Sequence, residues 1–206
     1  MRSGIIVVIG LLILSLGFVS TNLFKADVES TDTGTAQHIS GLSAAEIEGI
    51  QFMREEEKLA RDVYAYLYDI WQIPTFNNIS ASEQKHTDAI RVELIEFYGL
   101  DDPVAALAPG EFINPILQQL YDDLTARGST SLVEALKVGA AIEEIDILDI
   151  KEYILQTDDK VIIGVYENLL AGSGNHLRAF VSGLSKRGVT YEPAYLTLEQ
   201  YEAVIG

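Results

Sequence analysis

Cysteine is absent from this chain of 206 residues. Its absence excludes disulfides, thiolate zinc sites, iron–sulfur clusters and a lipidated cysteine behind an export signal, so any metal has to be held through oxygen and nitrogen. Positive charge is scarce: 14 lysines and arginines face 31 aspartates and glutamates, a formal net charge of −17. A surface of that sign repels phosphate backbones and anionic lipid while attracting cations, so nucleic acid is not an expected partner. Most of these carboxylates are read as solvated surface. Histidine occurs only at His38, His86 and His176. No repeat of fixed period is present, and the length suits one well-buried core with tails.

Charge is also missing from residues 3–24, a run dominated by Ile, Leu and Val that follows Arg2 and is closed by Lys25. A basic residue before such a run marks an export signal, and its length also suffices to span a bilayer as a helix. No small-x-small cleavage site stands near Val19-Ser20, so residues 1–25 are read as a signal peptide or an N-terminal membrane anchor. Either reading places the rest of the chain outside the cytoplasm, secreted or anchored, with membrane contact only through this segment. Residues 26–42, rich in Asp, Ser, Thr and Gly, form a disordered tether. A helical domain over 43–190 follows, and 191–206 are a tail packing on it. The sequence does not specify an oligomeric state.

Ser43 with Glu46 is a capping box, and Ile47, Ile50, Leu59, Val63, Leu67 and Ile70 keep helical spacing, which predicts a first helix over 44–71. For the second helix two starts compete. Ser80 to Glu83 is itself a capping-box match, but the stripe Phe76, Ile79, Glu83, His86, Ile90, Leu94, Phe97 holds its period through Ser80. With Pro74 suited to a first turn, the spacing favours a helix over 74–98. A long connection with a short helix near 116–126 leads to a third helix over 131–155. A fourth helix follows the turn at 157–159 and ends before Gly188.

Glu83 and His86 lie three residues apart, which puts both on one helix face. His176 falls on the apolar stripe of the fourth helix, and Glu143 on that of the third, with Asp146 a possible extra ligand and Glu144 an alternate. On the first helix, periodicity slightly favours Glu56 over Glu57 as the inward residue. Buried carboxylates are expensive without partners, so several converging on histidines imply a compensating cation, or else a hydrogen-bonded polar core. Axial positions support the later hairpin: Glu143 and His176 lie roughly 20 Å and up to about 26 Å from their turn at 1.5 Å per residue. Glu57 and Glu83, at roughly 21 Å and 14 Å from theirs, are about one turn out of match.

Glu57-x-x-Ala60-Arg61-x-x-Tyr64 followed by Glu83-x-x-His86 resembles the first half of rubrerythrin-like proteins in the ferritin-like superfamily. The longer motifs, from Glu55 to Tyr64 and from Gly172 to Phe180, resemble an uncharacterised ferritin-like domain family of bacteria and archaea over residues 43–196. The resemblance implies an all-α four-helix bundle with one long crossover containing a short extra helix. It also implies a carboxylate-bridged di-iron centre used in ferroxidase, peroxidase or oxygen chemistry. Carried over to this sequence, the ligands are Glu57, Glu83, His86, Glu143 and His176, which selects Glu57 over Glu56. Ser173 stands where a bridging glutamate is expected, leaving a di-iron site completed by Asp146, a single-metal site, or none. Carboxylates with imidazole suit iron, and manganese or zinc are compatible. The rival expectations are a metal-free binding or structural bundle displayed at the membrane, and a mononuclear zinc hydrolase.

Overall fold

The computed structural model describes residues 41–206, so the expected signal or anchor, residues 26–40 of the expected tether and His38 lie outside the described residues. The first helix, α1, is Ala44–Trp71. The Ser43 hydroxyl accepts from the Glu46 N–H at 3.2 Å, and the Glu46 carboxylate accepts from the Ser43 N–H at 2.7 Å. Gln72 closes α1 in the left-handed region at φ 51°, and Pro74 occupies the first turn of α2, Pro74–Ala89. The second helix thus starts at the proline. Ser80 is no cap: its hydroxyl donates to the Arg61 carbonyl at 3.0 Å, tying α2 to α1.

α2 continues directly into a π-helical segment, Ile90–Glu96. A π-turn holds an extra residue per turn and slips the phase of the side chains that follow. Ile90, Leu94 and Ile95 are accordingly buried, while Phe97, expected on the core stripe, is 65% exposed. A crossover then leads through α3, Pro115–Gly128, to α4, Leu132–Ile154, and α5, Lys160–Ser185, before the short α6, Leu198–Ile205. α1 packs along α2, and α4 along α5, while α3 braces α1 and α4. The rings of Tyr64, Phe76 and Phe180 meet in the core with centroids 5.1–6.4 Å apart. No helix of the described residues is long and apolar enough to cross a membrane.

The charged run in α1 clamps the crossover. Arg54 pairs with Asp102 at 3.0 Å and donates to the Thr87 carbonyl at 2.8 Å. Glu55 accepts from the N–H groups of Ile113 and Asn114 at 2.9 and 3.1 Å. Lys58 Nζ, buried, donates to Asp62 at 2.6 Å and to the carbonyls of Ala108 and Glu111, while Asp62 also accepts from the Gly110 N–H. Burying these charges is tolerable because each is paired or hydrogen-bonded. At the other end of the chain Glu144, wholly buried, accepts from the Tyr191 hydroxyl and from the N–H groups of Ala194, Tyr195 and Leu196 at 2.7–3.2 Å. That carboxylate holds the C-terminal tail onto the bundle.

Candidate metal centre

Four helices each bring polar groups to one buried point: Glu57 from α1, Glu83 and His86 from α2, Glu143 from α4 and His176 from α5. Glu83 lies between two half-sites. One of its oxygens, Oε2, is 2.7 Å from His86 Nδ1, and the other, Oε1, is 2.7 Å from His176 Nδ1. Glu57 Oε2 closes the first half at 3.2 Å from His86 Nδ1, and Glu143 Oε2 approaches His176 Nδ1 at 3.5 Å in the second. Glu57, Glu83 and His86 form one cluster able to hold a metal ion, and Glu83, Glu143 and His176 another. In each, the donor atoms lie within 4.8 Å of one another.

Local packing aims both rings inward. Ser82 Oγ is 3.0 Å from His176 Nε2, leaving Nδ1 for the carboxylates. The His86 ring lies against Gly172, where a Cβ would meet its Cε1 and Nε2 at 2.5 Å. We expect Gly172→Ala to displace that ring, costing about 1–3 kcal/mol by overpacking. Metal affinity should fall at the Glu57–His86 half and persist at the other, read by metal titration of the folded variant. Equal loss at both halves, or at neither, would contradict this placement.

The axial mismatch between Glu57 and Glu83 has a simple resolution. His86, not Glu83, sits level with Glu57, and Glu83, a turn nearer the loop, reaches both half-sites. Glu144, the alternate to Glu143, belongs to neither cluster because the tail occupies its oxygens. Asp146 is buried beside the centre, and Ser173 donates to its Oδ2. Tyr64, wholly buried, donates to Glu143 Oε1 at 2.5 Å.

The protons of the cluster follow from burial and these pairings. Burial pushes Glu57 up to about 8 despite His86 beside it. Burial also raises Glu143 and Asp146, reinforced by the neighbouring carboxylates. Burial alone would raise Glu83 too, but His176 and His86 together bring it down to about 2. Against the effect of burial, carboxylates hold His86 up at about 11 and His176 at about 10. Without metal, then, the two histidines favour the charged form of Glu83, while burial disfavours charge on Glu57, Glu143 and Asp146.

A second carboxylate pair lies beyond the cluster: periodicity points Glu56 inward, but nothing in the sequence marks Asp149 as its neighbour. Glu56 Oε2 and Asp149 Oδ2 are each buried with no hydrogen-bond partner among the described residues, and one proton shared between the two carboxyls would satisfy both. Burial and Asp149 raise Glu56 furthest, and burial raises Asp149 to about 7. A raised carboxylate costs stability as pH rises from its unfolded to its folded pKa. We therefore expect Asp149→Asn to stabilise the protein by about 1 kcal/mol at pH 8 and hardly at pH 5, measured by urea unfolding. An equal effect at both pH values would contradict the shared proton.

Fold and site together define a ferritin-like all-α bundle, with a crossover helix and two candidate metal clusters joined through one glutamate. The chain belongs to the family described as "Uncharacterized protein domain (DUF2202)", which matches residues 46–206. It is 49% identical over 164 residues to the uncharacterized protein MJ0754 of Methanocaldococcus jannaschii, covering 80% of this chain and 88% of that one. A crystal structure of hypothetical protein MJ0754 from Methanococcus jannaschii DSM 2661 matches with a TM-score of 0.78 at 47% identity, covering 83% of this chain and 97% of that one.

Proposed function

We propose that this protein is a non-haem iron protein of the ferroxidase or peroxidase type, working outside the cytoplasm. The observation that carries the reading is Glu83, whose two oxygens face two different histidines at 2.7 Å. A single carboxylate placed this way is suited to join two metal ions.

The donor set fits such a group. Glu57 Oε1, Glu83 Oε1 and His176 Nδ1 are buried with no hydrogen-bond partner among the described residues. The last two are only 2.7 Å apart but lie off the line of a hydrogen bond, as atoms do when both are aimed at a third position. Glu57 and His86 would hold one ion and Glu143 and His176 the other, with Glu83 between them. All-oxygen-and-nitrogen donors suit iron or manganese. Bound there, a pair of ferrous ions would supply one electron each to hydrogen peroxide, which with two protons leaves as two waters.

The residues govern what reaches the centre. Glu57, Glu83 and Glu143 are sealed, whereas the side chains of His86 and His176 are 13% and 10% exposed. The histidine edges are thus the parts of the cluster that solvent reaches. Tyr64 keeps a proton on its hydroxyl, directed at Glu143 Oε1, so that this carboxylate keeps its orientation. The apolar run over residues 3–24 supports export, and the acidic composition favours cations as cargo or substrate.

The redox reading is tested by loading metal-free protein anaerobically with ferrous ion and then adding peroxide or air. We expect iron oxidation much faster than in protein-free buffer, with that acceleration lost in Glu83→Ala. Oxidation no faster than in buffer would remove the redox role while leaving metal binding in place.

A further inference from the structure

Asp146 belongs to neither Glu/His cluster, yet its carboxylate is buried beside them. The residue is 6% exposed; its Oδ2 accepts from Ser173 Oγ, and its Oδ1 is buried with no partner among the described residues. An orphaned buried acceptor costs about 1–3 kcal/mol, and a buried anion more. We propose that Asp146, supplied by α4 and held by Ser173, is a second carboxylate bridging two metal ions. This rests on the reading of the two Glu/His clusters as a metal centre.

Register places Asp146 at the junction. Along the antiparallel pair α4 and α5, Glu143 faces His176, and Asp146 faces Ser173 one turn further on. Along α2 and α5, Ser82 faces His176 and His86 faces Gly172. Ser173 follows Gly172 directly, so Asp146 lies level with the Glu57–His86 half and one turn from the Glu143–His176 half. The carboxylates that bear on it most are Glu57 and then Glu143, one from each half-site.

Charge gives an independent argument. With metal bound and the imidazoles neutral, Glu57, Glu83, Glu143 and Asp146 would carry four negative charges once ionised, which two divalent ions would neutralise. A single ion leaves two uncompensated charges in a sealed core, at a cost that only proton uptake relieves. Ser173 is suited to positioning because its hydroxyl holds Oδ2 through one lone pair. The remaining lone pairs of that oxygen, and Oδ1, stay available. The Leu169 carbonyl, 3.0 Å from Ser173 Oγ, is the alternative acceptor for the single proton of that hydroxyl. Ser173 is thus a positioning residue, and Asp146 the ligand.

The test is a manganese(II) titration of the metal-free full chain, with bound ions counted by equilibrium dialysis and their spin coupling read by EPR. The parent is expected to bind two coupled ions. Asp146→Asn should keep the first and bind the second about 100-fold more weakly, with coupling lost, and Ser173→Ala should weaken the second about tenfold. A folded Asp146→Asn that binds two ions with unchanged affinity overturns the bridge. Should Asp146→Asn fail to fold, Ser173→Ala decides: unchanged affinity and coupling overturn the proposal. A parent binding one ion overturns the two-ion arrangement but leaves the metal reading standing, whereas a parent binding none removes that reading itself.

Discussion

Glu83→Gln is expected to empty both half-sites at once. Glu83 is shared by the two clusters, so losing its charge removes a ligand from each, and metal affinity should fall by about 100-fold or more at both. Glu57→Gln and Glu143→Gln, each confined to one cluster, should lose one ion and keep the other. In the metal-free protein the same Glu83 substitution leaves His86 and His176 without their closest counter-charge, and we expect a loss of about 3–5 kcal/mol. Metal titration and urea unfolding of the variants at pH 6 check both statements. A Glu83→Gln protein that keeps one tightly bound ion would show that the half-sites do not depend on a common ligand.

The metal-free protein should lose stability as pH rises, and metal should reverse the trend. His86 and His176 are raised to about 11 and 10. Their contribution is therefore fully present below the unfolded value near 6.5 and lost as pH climbs through the folded values. Glu57, raised to about 8, and Asp149, raised to about 7, also bind protons more tightly when folded. They too lower stability with rising pH, over windows that begin near 4 and end at those values. Glu83 runs the other way: lowered to about 2, it adds stability above pH 4.5 that is lost on acidification toward 2. From pH 5.5 to 9 the raised groups dominate. A net loss of about 3 kcal/mol corresponds to a fall in Tm of roughly 6–12 °C for a chain of this size. Metal binding displaces these protons, so the rise in Tm on adding metal should be larger at pH 8 than at pH 6. Thermal unfolding with and without metal across that range is the check. A flat metal-free profile would mean that the cluster does not hold these protons.

Much of the fold was legible because local chemistry and tertiary packing agree. Ser43 with Glu46 marked the start of α1, and Pro74 opens α2 where the apolar stripe asked for it. The π-helical segment was not legible, because a one-residue phase slip leaves the hydrophobic pattern locally plausible. Phe97 therefore looked like core, whereas Ile95 takes that place. In the site, the three-residue step from Glu83 to His86 carried a real geometric signal. Choosing between Glu143 and Glu144 did not rest on one as firm, since neighbours on a helix differ only by rotation and the tail that occupies Glu144 lies about 50 residues away. The charged run from Arg54 to Asp62 mixes two jobs. Glu57 faces the cluster and Glu56 faces Asp149, but Arg54, Glu55, Lys58 and Asp62 hold a loop 48–59 residues downstream through partners that leave no mark on the helix itself.

The central claim is that the buried carboxylates and histidines form a metal centre. It is tested most directly by the metal content of the protein purified without chelator or affinity-tag metal, followed by anaerobic titration with ferrous ion. The account predicts iron in the purified protein, saturation at two ions per chain, and a rise in Tm on binding. Iron at a small fraction of an equivalent, with neither uptake nor thermal stabilisation on adding ferrous ion, would contradict it and leave the cluster as an ionic, proton-holding core.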